Sequence, residues 1–215
     1  MKNFYPISLD IRDKRCVVVG GGRVALRKVK ALVECGAEVK VISPDLCLEL
    51  GKMTETGIIQ ALQKRYENGD LNGAFLVVAA TDDGEVNGRV AEEAKRVGAM
   101  VNVVDDPERS DFIVPSYLRR GDVTIAVSTA GRSPALARRI RTRLEKEIGA
   151  EYASLALLID EARSELKNQG IEVDSDTWQK AIDLDLLNGM LRAGQNEKAR
   201  DTLLSNLKRL KRTEI

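Results

Sequence analysis

The sequence predicts an α/β protein, a parallel sheet covered by helices on both faces, followed by a small mixed segment and a purely helical end. Three observations carry this. Short apolar runs alternate with amphipathic stretches through the first hundred residues; a triple glycine joins the first such run to the first amphipathic stretch; and strand signals stop at Ala150. A run of apolar residues without polar alternation is the mark of a strand buried on both faces, which a parallel sheet flanked by helices requires.

Cys16-Val17-Val18-Val19 reads as the first strand, and Val24 to Glu34 follows with helical spacing, ending near Gly36. A glycine is the usual residue just past a helix because it enters the left-handed region without a Cβ clash. Glu38 to Ile42, Ile58 to Lys64, Ala74 to Ala80 and Met100 to Val104 supply four more strands. Pro44 suits the first turn of a short second helix, and Val86 to Val97 is a helix opened by Thr81-Asp82-Asp83-Gly84. Phe4 to Ile11 is extended, a candidate edge strand. Further on, Asp122 to Val127 is a strand, and Ser133-Pro134 starts a helix to about Ile148, with Ser133 as N-cap and Pro134 at the first helical position. Leu136, Ile140 and Leu144, four apart, are its expected buried face. Glu151 to Asn168, Thr177 to Leu187 and Asn196 to Arg212 read as the terminal helices. The expected division is 1–113, 114–149 and 150–215.

Composition excludes several chemistries. No histidine occurs in the 215 residues, which removes imidazole acid/base catalysis, histidine metal ligation and a Ser-His-Asp triad. The three cysteines, Cys16, Cys35 and Cys47, lack C-x-x-C spacing and read as reduced, buried thiols of a cytoplasmic protein. No apolar run approaches the ~20 residues of a membrane span. Net charge is +1. Residues 112–149, however, hold 8 basic against 3 acidic side chains, and residues 150–215 hold 10 against 12, a poor footprint for nucleic acid.

Gly20-Gly21-Gly22-Arg23-Val24-Ala25 fits G-x-G-x-x-G/A through Gly20, Gly22 and Ala25. In a Rossmann-like sheet such a loop gives a tight turn, lets the backbone approach a diphosphate, and packs helix on strand, while the helix N-terminus offers N–H donors to the phosphates. The alternative is a glycine turn needed only for packing. At the end of the second strand Ser43 stands where an acidic ribose reader is usual, with Asp45 two residues on, and no Lys or Arg lies within 43–47 to hold a 2′-phosphate. The expected cofactor is therefore NAD.

Taken in order, Gly20 to Lys28, Ala79-Ala80-Thr81-Asp82-Asp83, Asn102-Val103-Val104-Asp105-Asp106, Phe112-Ile113-Val114-Pro115-Ser116 and Ser128 to Ala137 resemble the precorrin-2 dehydrogenase family, also found as the N-terminal module of sirohaem synthases. The likeness covers about residues 1–148. It implies removal of a hydride and a proton from precorrin-2 to give sirohydrochlorin, with iron insertion as a second activity of some members. It also implies a homodimer to which the middle segment and the terminal helices contribute. Carried over by motif, it makes Asp105 the general base and puts cofactor contacts at Arg23, Val24, Ser43 and Pro44.

Read physically, Asp105 ends the fifth strand, where open α/β sheets place their ligand crevice, and a second carboxylate beside it, Asp106, would favour proton uptake. The plainer alternative is a turn cap before Pro107, the role expected of Asp106. Thr81 is a candidate cofactor contact, with Asp82 and Asp83 as helix caps. The loop from Ser128 to Pro134 precedes a helix, an anion-binding arrangement. Ser128, Arg132 and Ser133 are the candidate ligands of the tetrapyrrole's carboxylates, with Ser116 and Tyr117 beside them. Arg138, Arg139, Arg141 and Arg143 are expected in solvent or at an interface. An NAD-sensing dimeric regulator is the competing reading from another class.

Overall fold

Five short strands lie side by side in the computed structural model, which describes residues 4–213. They are β1 (Arg15–Val19), β2 (Glu38–Ile42), β3 (Gln60–Leu62), β4 (Leu76–Ala79) and β5 (Met100–Val103), all parallel, in the order β3-β2-β1-β4-β5. The helices between them are α1 (Arg23–Glu34), α2 (Leu48–Glu55) and α3 (Gly84–Arg96). Alternation along each strand feeds two separate cores. Cys16, Val18, Leu76 and Val78 meet Ala25, Leu26 and Val29 of α1 and Leu50 of α2. Val17, Val19, Val77 and Ala79 meet Val90, Ala91 and Ala94 of α3. Strands covered on both sides need apolar residues at every position, which is why these four-residue runs show no polar period.

The chain runs outward from β1 to β3 and then returns to β4 on the other side of β1. That reversal leaves a crevice beyond the C-terminal ends of β1 and β4, the position where doubly wound sheets bind ligands.

Three expectations in this unit are corrected. Residues 4–11 pair with no strand; Pro6 has no N–H to give a ladder, and Tyr5, Ile7 and Leu9 stay exposed. Pro44 does not open the second helix, which begins at Leu48. The Ser43 hydroxyl donates to the Asp45 carbonyl at 2.7 Å, and the Cys47 N–H goes to Gly21 O at 2.8 Å, so the groups a helix would need are already used. Of the thiols, Cys16 is buried, its pKa pushed up to about 11 by that burial, while Cys35 and Cys47 are partly exposed.

A buried carboxylate ties α3 to the segment after β3. Glu93 is 1% exposed and accepts from the Tyr66 hydroxyl, from Gly69 N at 2.8 Å and from Leu71 N at 3.3 Å. Removing it strands the buried Tyr66 and Leu71 donors away from water. Glu93→Leu is expected to lower stability by about 3 kcal/mol or more in urea denaturation.

Past Val114 begins a second unit. Its hairpin pairs β6 (Ser116–Arg120) with β7 (Val123–Val127) antiparallel, and α4 (Pro134–Glu147) follows. Only the second of these strands was expected, because the arginines and tyrosine of β6 mask any apolar period. Ser133 caps α4, its oxygen accepting from Leu136 N at 3.3 Å. The expected buried face of α4 is not buried: Leu136 is 51% and Ile140 39% exposed, and Ala137 alone on this helix is buried. The helices α5 (Glu151–Asn168), α6 (Ser175–Ala181), α7 (Leu184–Arg192) and α8 (Asn196–Thr213) enclose their own core of leucine and alanine. Where one helix was expected over 177–187 there are two. Asp183 breaks it by accepting from Leu186 N at 3.0 Å, a cap that starts a new helix in place of continuing the old one.

Candidate active site

The crevice at the reversal point is a cleft of about 700 Å³, within the usual range for small-molecule sites. Four loops and one helix build its walls. Gly20 to Val24 come from the end of β1, Ser43 to Asp45 from β2, Arg65 and Tyr66 from β3, and Ala80 to Asp83 from β4, while α3 adds Glu85, Val86 and Arg89.

Two glycines of the loop have a steric reason within the fold. Gly20 sits at φ +125°, and a Cβ there would run into the Ala80 carbonyl; a Cβ on Gly21 would collide with the Asp45 carbonyl oxygen. Gly22 differs: its Cβ would meet nothing within 4 Å. It is the N-cap of α1, yet no side chain caps the helix and no acidic residue stands in its first turn. The α1 N–H groups and their partial positive charge thus face an open cradle, which fits a diphosphate.

Ser43 is buried, and its proton is committed to Asp45 O, so it shapes the turn that brings the exposed Asp45 to the cleft wall. Thr81 also lines the cleft, with its hydroxyl engaged by Asn87 Oδ1 at 2.8 Å and Asp83 O at 3.0 Å. Asp83 caps α3, accepting from Glu85 N at 2.9 Å and Val86 N at 3.1 Å.

Asp105 lies in the turn after β5 and is exposed. It is not one of the residues lining the cleft. It takes φ +61°, a left-handed conformation that Asp accepts more readily than most residues. Its carboxylate has no hydrogen-bond or ion-pair partner among the described residues. Asp106 is spoken for: Oδ1 accepts from Arg109 N at 3.1 Å, and Arg109 Nε stands 3.6 Å from Oδ2. Ser110 pins the same turn, donating to Asp106 O at 2.7 Å and accepting from Val103 N at 2.9 Å.

Within the second unit, Ser116 and Val127 are register partners, so Ser116 and Ser128 lie at the same open end of the hairpin, next to the start of α4. Ala130 and Gly131, both at positive φ, turn the loop. Ser128 Oγ accepts from Ala130 N, Arg132 N donates to Thr129 O, and Ser133 Oγ is the helix cap. Two of the α4 arginines, Arg141 and Arg143, are paired along the helix with Glu145 and Glu147.

Sequence reasoning missed Arg65, Tyr66 and Arg89, which reach the cleft from parts of the chain with no motif of their own. It also gave no role to Lys28 and Asn102. Lys28 Nζ donates to Asn102 Oδ1 at 3.3 Å, across from α1 to β5. The available signal was its place in the apolar stripe of α1, between Ala25 and Leu32, where a charge is out of pattern. Burial holds this ammonium below the usual lysine range, Arg27 adds to that, and the Asp105 carboxylate pulls the other way. Among the described residues no cluster of His, Cys, Asp or Glu is placed to hold a metal, and no helix is long and apolar enough to cross a membrane.

Comparison with known proteins places these features in a family. A model described as putative NAD(P)-binding matches residues 7–116, and one described as sirohaem biosynthesis protein, central, matches residues 120–147. The siroheme synthase of Thioalkalivibrio sulfidiphilus is 39% identical over 203 residues, covering 94% of this chain and 41% of the relative. That of Methylobacillus flagellatus is 47% identical over 164 residues, covering 76% and 35%. The chain spans about two fifths of the length of the curated relatives it matches. A solved structure of SirC, a precorrin-2 dehydrogenase, superposes with a TM-score of 0.68 at 24% identity, covering 96% of this chain and all of that one, a likeness of fold.

Proposed function

Because the chain belongs to the putative NAD(P)-binding family and carries the central segment of sirohaem biosynthesis proteins, we propose that it is an NAD-dependent dehydrogenase converting precorrin-2 to sirohydrochlorin. The observation that carries this reading is the open cradle at Gly22, before an uncapped helix, on the same sheet end as the unpartnered carboxylate of Asp105.

NAD, when bound, supplies the hydride acceptor. The chain's own residues do the rest. Gly22, Arg23 and Val24 receive the diphosphate against main-chain N–H groups, and Gly20, whose own N–H goes to Ile42 O at 2.9 Å, makes the turn that brings them there. Ser43, Pro44 and the Asp45 they bring forward take the adenosine ribose, and Thr81 borders the nicotinamide end. An acidic side chain on that ribose wall favours NAD over a cofactor with a 2′-phosphate. Asp105 accepts the proton that leaves the tetrapyrrole as the hydride departs, so two hydrogens are removed, one with its electron pair and one without.

The substrate carries a rim of carboxylates, and residues 112–149 hold the chain's excess of positive charge. Ser116, Ser128, Arg132 and Ser133, gathered at the hairpin end and the start of α4, are the groups we assign to those carboxylates. The exposed Leu136 and Ile140 on α4 support a homodimer in which a second copy covers them. We divide the functions as cofactor binding in 1–113, substrate and dimer contacts in 114–149, and helical support in 150–215. Three thiols with no disulfide fit work in the cytoplasm.

The test is an anaerobic assay with precorrin-2 and NAD as the only additions. NADH is expected at 340 nm in step with sirohydrochlorin, and NADP in place of NAD is expected to support far less. Silence at 340 nm while NAD remains bound would overturn the dehydrogenase reading in favour of a sensor. Ferrous iron added afterwards tests for a second activity; sirohaem forming no faster than in the blank would leave dehydrogenation as the whole reaction.

A further inference from the structure

Lys28 is a charge in the wrong place for a merely structural helix. It stands on the sheet-facing stripe of α1, beside the buried Ala25 and Val29, and its ammonium is largely withdrawn from water. Burying a cation is costly unless its donors are used, and here the described residues supply one acceptor, Asn102 Oδ1 at 3.3 Å.

The orientation of that acceptor is not free. Asn102 is 6% exposed, and its Nδ2 donates to the Phe112 carbonyl at 3.0 Å, which can only accept. The amide oxygen is therefore the end turned to Lys28. Three residues on from Asn102 comes Asp105, in a turn whose backbone Ser110 and Asp106 hold by four hydrogen bonds. The backbone of Asp105 is thus set, while its carboxylate has no donor. The Asp105 carboxylate, on the turn that follows the strand carrying Asn102, acts on the Lys28 ammonium and favours its charged form.

We propose that Lys28 is a positioning residue for the dehydrogenation: its ammonium, aimed by the Asn102 amide, is the counter-charge that holds the Asp105 carboxylate in its working position. This rests on the reading of Asp105 as the base. If the Lys28–Asn102 bond served only to join α1 to β5, an apolar pair of the same size would do so without burying a charge. The pairing strengthens when bound ligands exclude water, because the same charges interact more strongly in a lower dielectric.

The test uses Lys28→Met, matched in length but uncharged, and Lys28→Arg, in the full chain. For Lys28→Met, kcat is expected to fall roughly tenfold, with the KM for precorrin-2 and the calorimetric Kd for NAD each changed by less than about twofold and the melting temperature not lowered. Lys28→Arg is expected to recover most of the rate. In an Asp105→Asn background, Lys28→Met is expected to cost nothing further, since a residue that acts through another has no effect once that one is gone.

A second tenfold loss in that background would overturn the proposal, as would wild-type kcat in Lys28→Met. A raised KM with intact kcat would make Lys28 a substrate ligand, and parallel losses of rate, NAD affinity and melting temperature would make it scaffolding; either result overturns positioning. Should Asp105→Asn keep full turnover, the base assignment fails and this inference with it. Should Asp105→Asn lose turnover while Lys28→Met does not, the inference fails alone.

Discussion

Asp105→Asn is expected to lose at least ~100-fold in kcat with precorrin-2, about 2.7 kcal/mol in the barrier, the scale of a missing general base. Asparagine is the informative substitute here. Asp105 sits at φ +61°, and Asn shares with Asp the ability to occupy that region, so the turn after β5 is retained. Nor does the amide take a hydrogen bond away from the fold, because no described residue hydrogen-bonds the carboxylate. The turn is held by Asp106 and Ser110, which the substitution leaves alone. The Kd for NAD, measured by calorimetry, is expected to stay within about twofold, since Asp105 does not line the cofactor cleft. A variant with wild-type turnover would remove Asp105 from the chemistry.

Gly22→Asp is expected to abolish NAD binding, with affinity down by at least ~100-fold, while the protein becomes slightly more stable. Both effects follow from one position. Gly22 has open space around its would-be Cβ and extended backbone at φ −85°, so a side chain fits without strain. Aspartate is a preferred N-cap, and at the uncapped start of α1 it would add roughly 0.5–1 kcal/mol. The same carboxylate would then occupy the donors meant for the diphosphate and repel it. Calorimetry and thermal melting together check this. Tight NAD binding in a well-folded Gly22→Asp protein would discredit the loop assignment. Gly21→Ala makes the contrast, because the new methyl would strike the Asp45 carbonyl and the loss there would be of folding before function.

Much of the architecture was legible because it rests on local rules. The unbroken apolar runs of β1 and β4 can be read only as strands covered twice, and Gly36 ends α1 where a glycine should. What could not be read depended on competition between distant groups. Pro44 looks like a helix opener until Ser43 and Gly21 claim the neighbouring main-chain atoms. The stripe Leu136-Ile140-Leu144 has the period of a buried face, but period cannot say whether the covering surface belongs to the same chain. The break before α7 turns on the Asp183 side chain outcompeting helix continuation, a balance of about 1 kcal/mol.

The candidate site divides in the same way. Gly20, Gly22, Ser43 and Thr81 line one cleft because each follows the end of a strand in one sheet, and strand ends are visible in the sequence. Arg65, Tyr66 and Arg89 line it too, but nothing local marks them; they arrive through the packing of α3 and the segment tied to it by Glu93. Lys28 was visible as a residue and mute as a partner, since its acceptor lies 74 positions away.

The crowding behind Gly20 and Gly21 has one more outcome. With carbonyl groups of two other loops pressed against them, these peptide units have little room to rearrange, so the shape of the anion cradle is built into the fold. The entropic cost of ordering it falls on folding and not on each encounter with the dinucleotide. In the proposed reaction, NADH leaving and NAD returning meet a rigid berth whose occupancy follows the nucleotide concentrations around it.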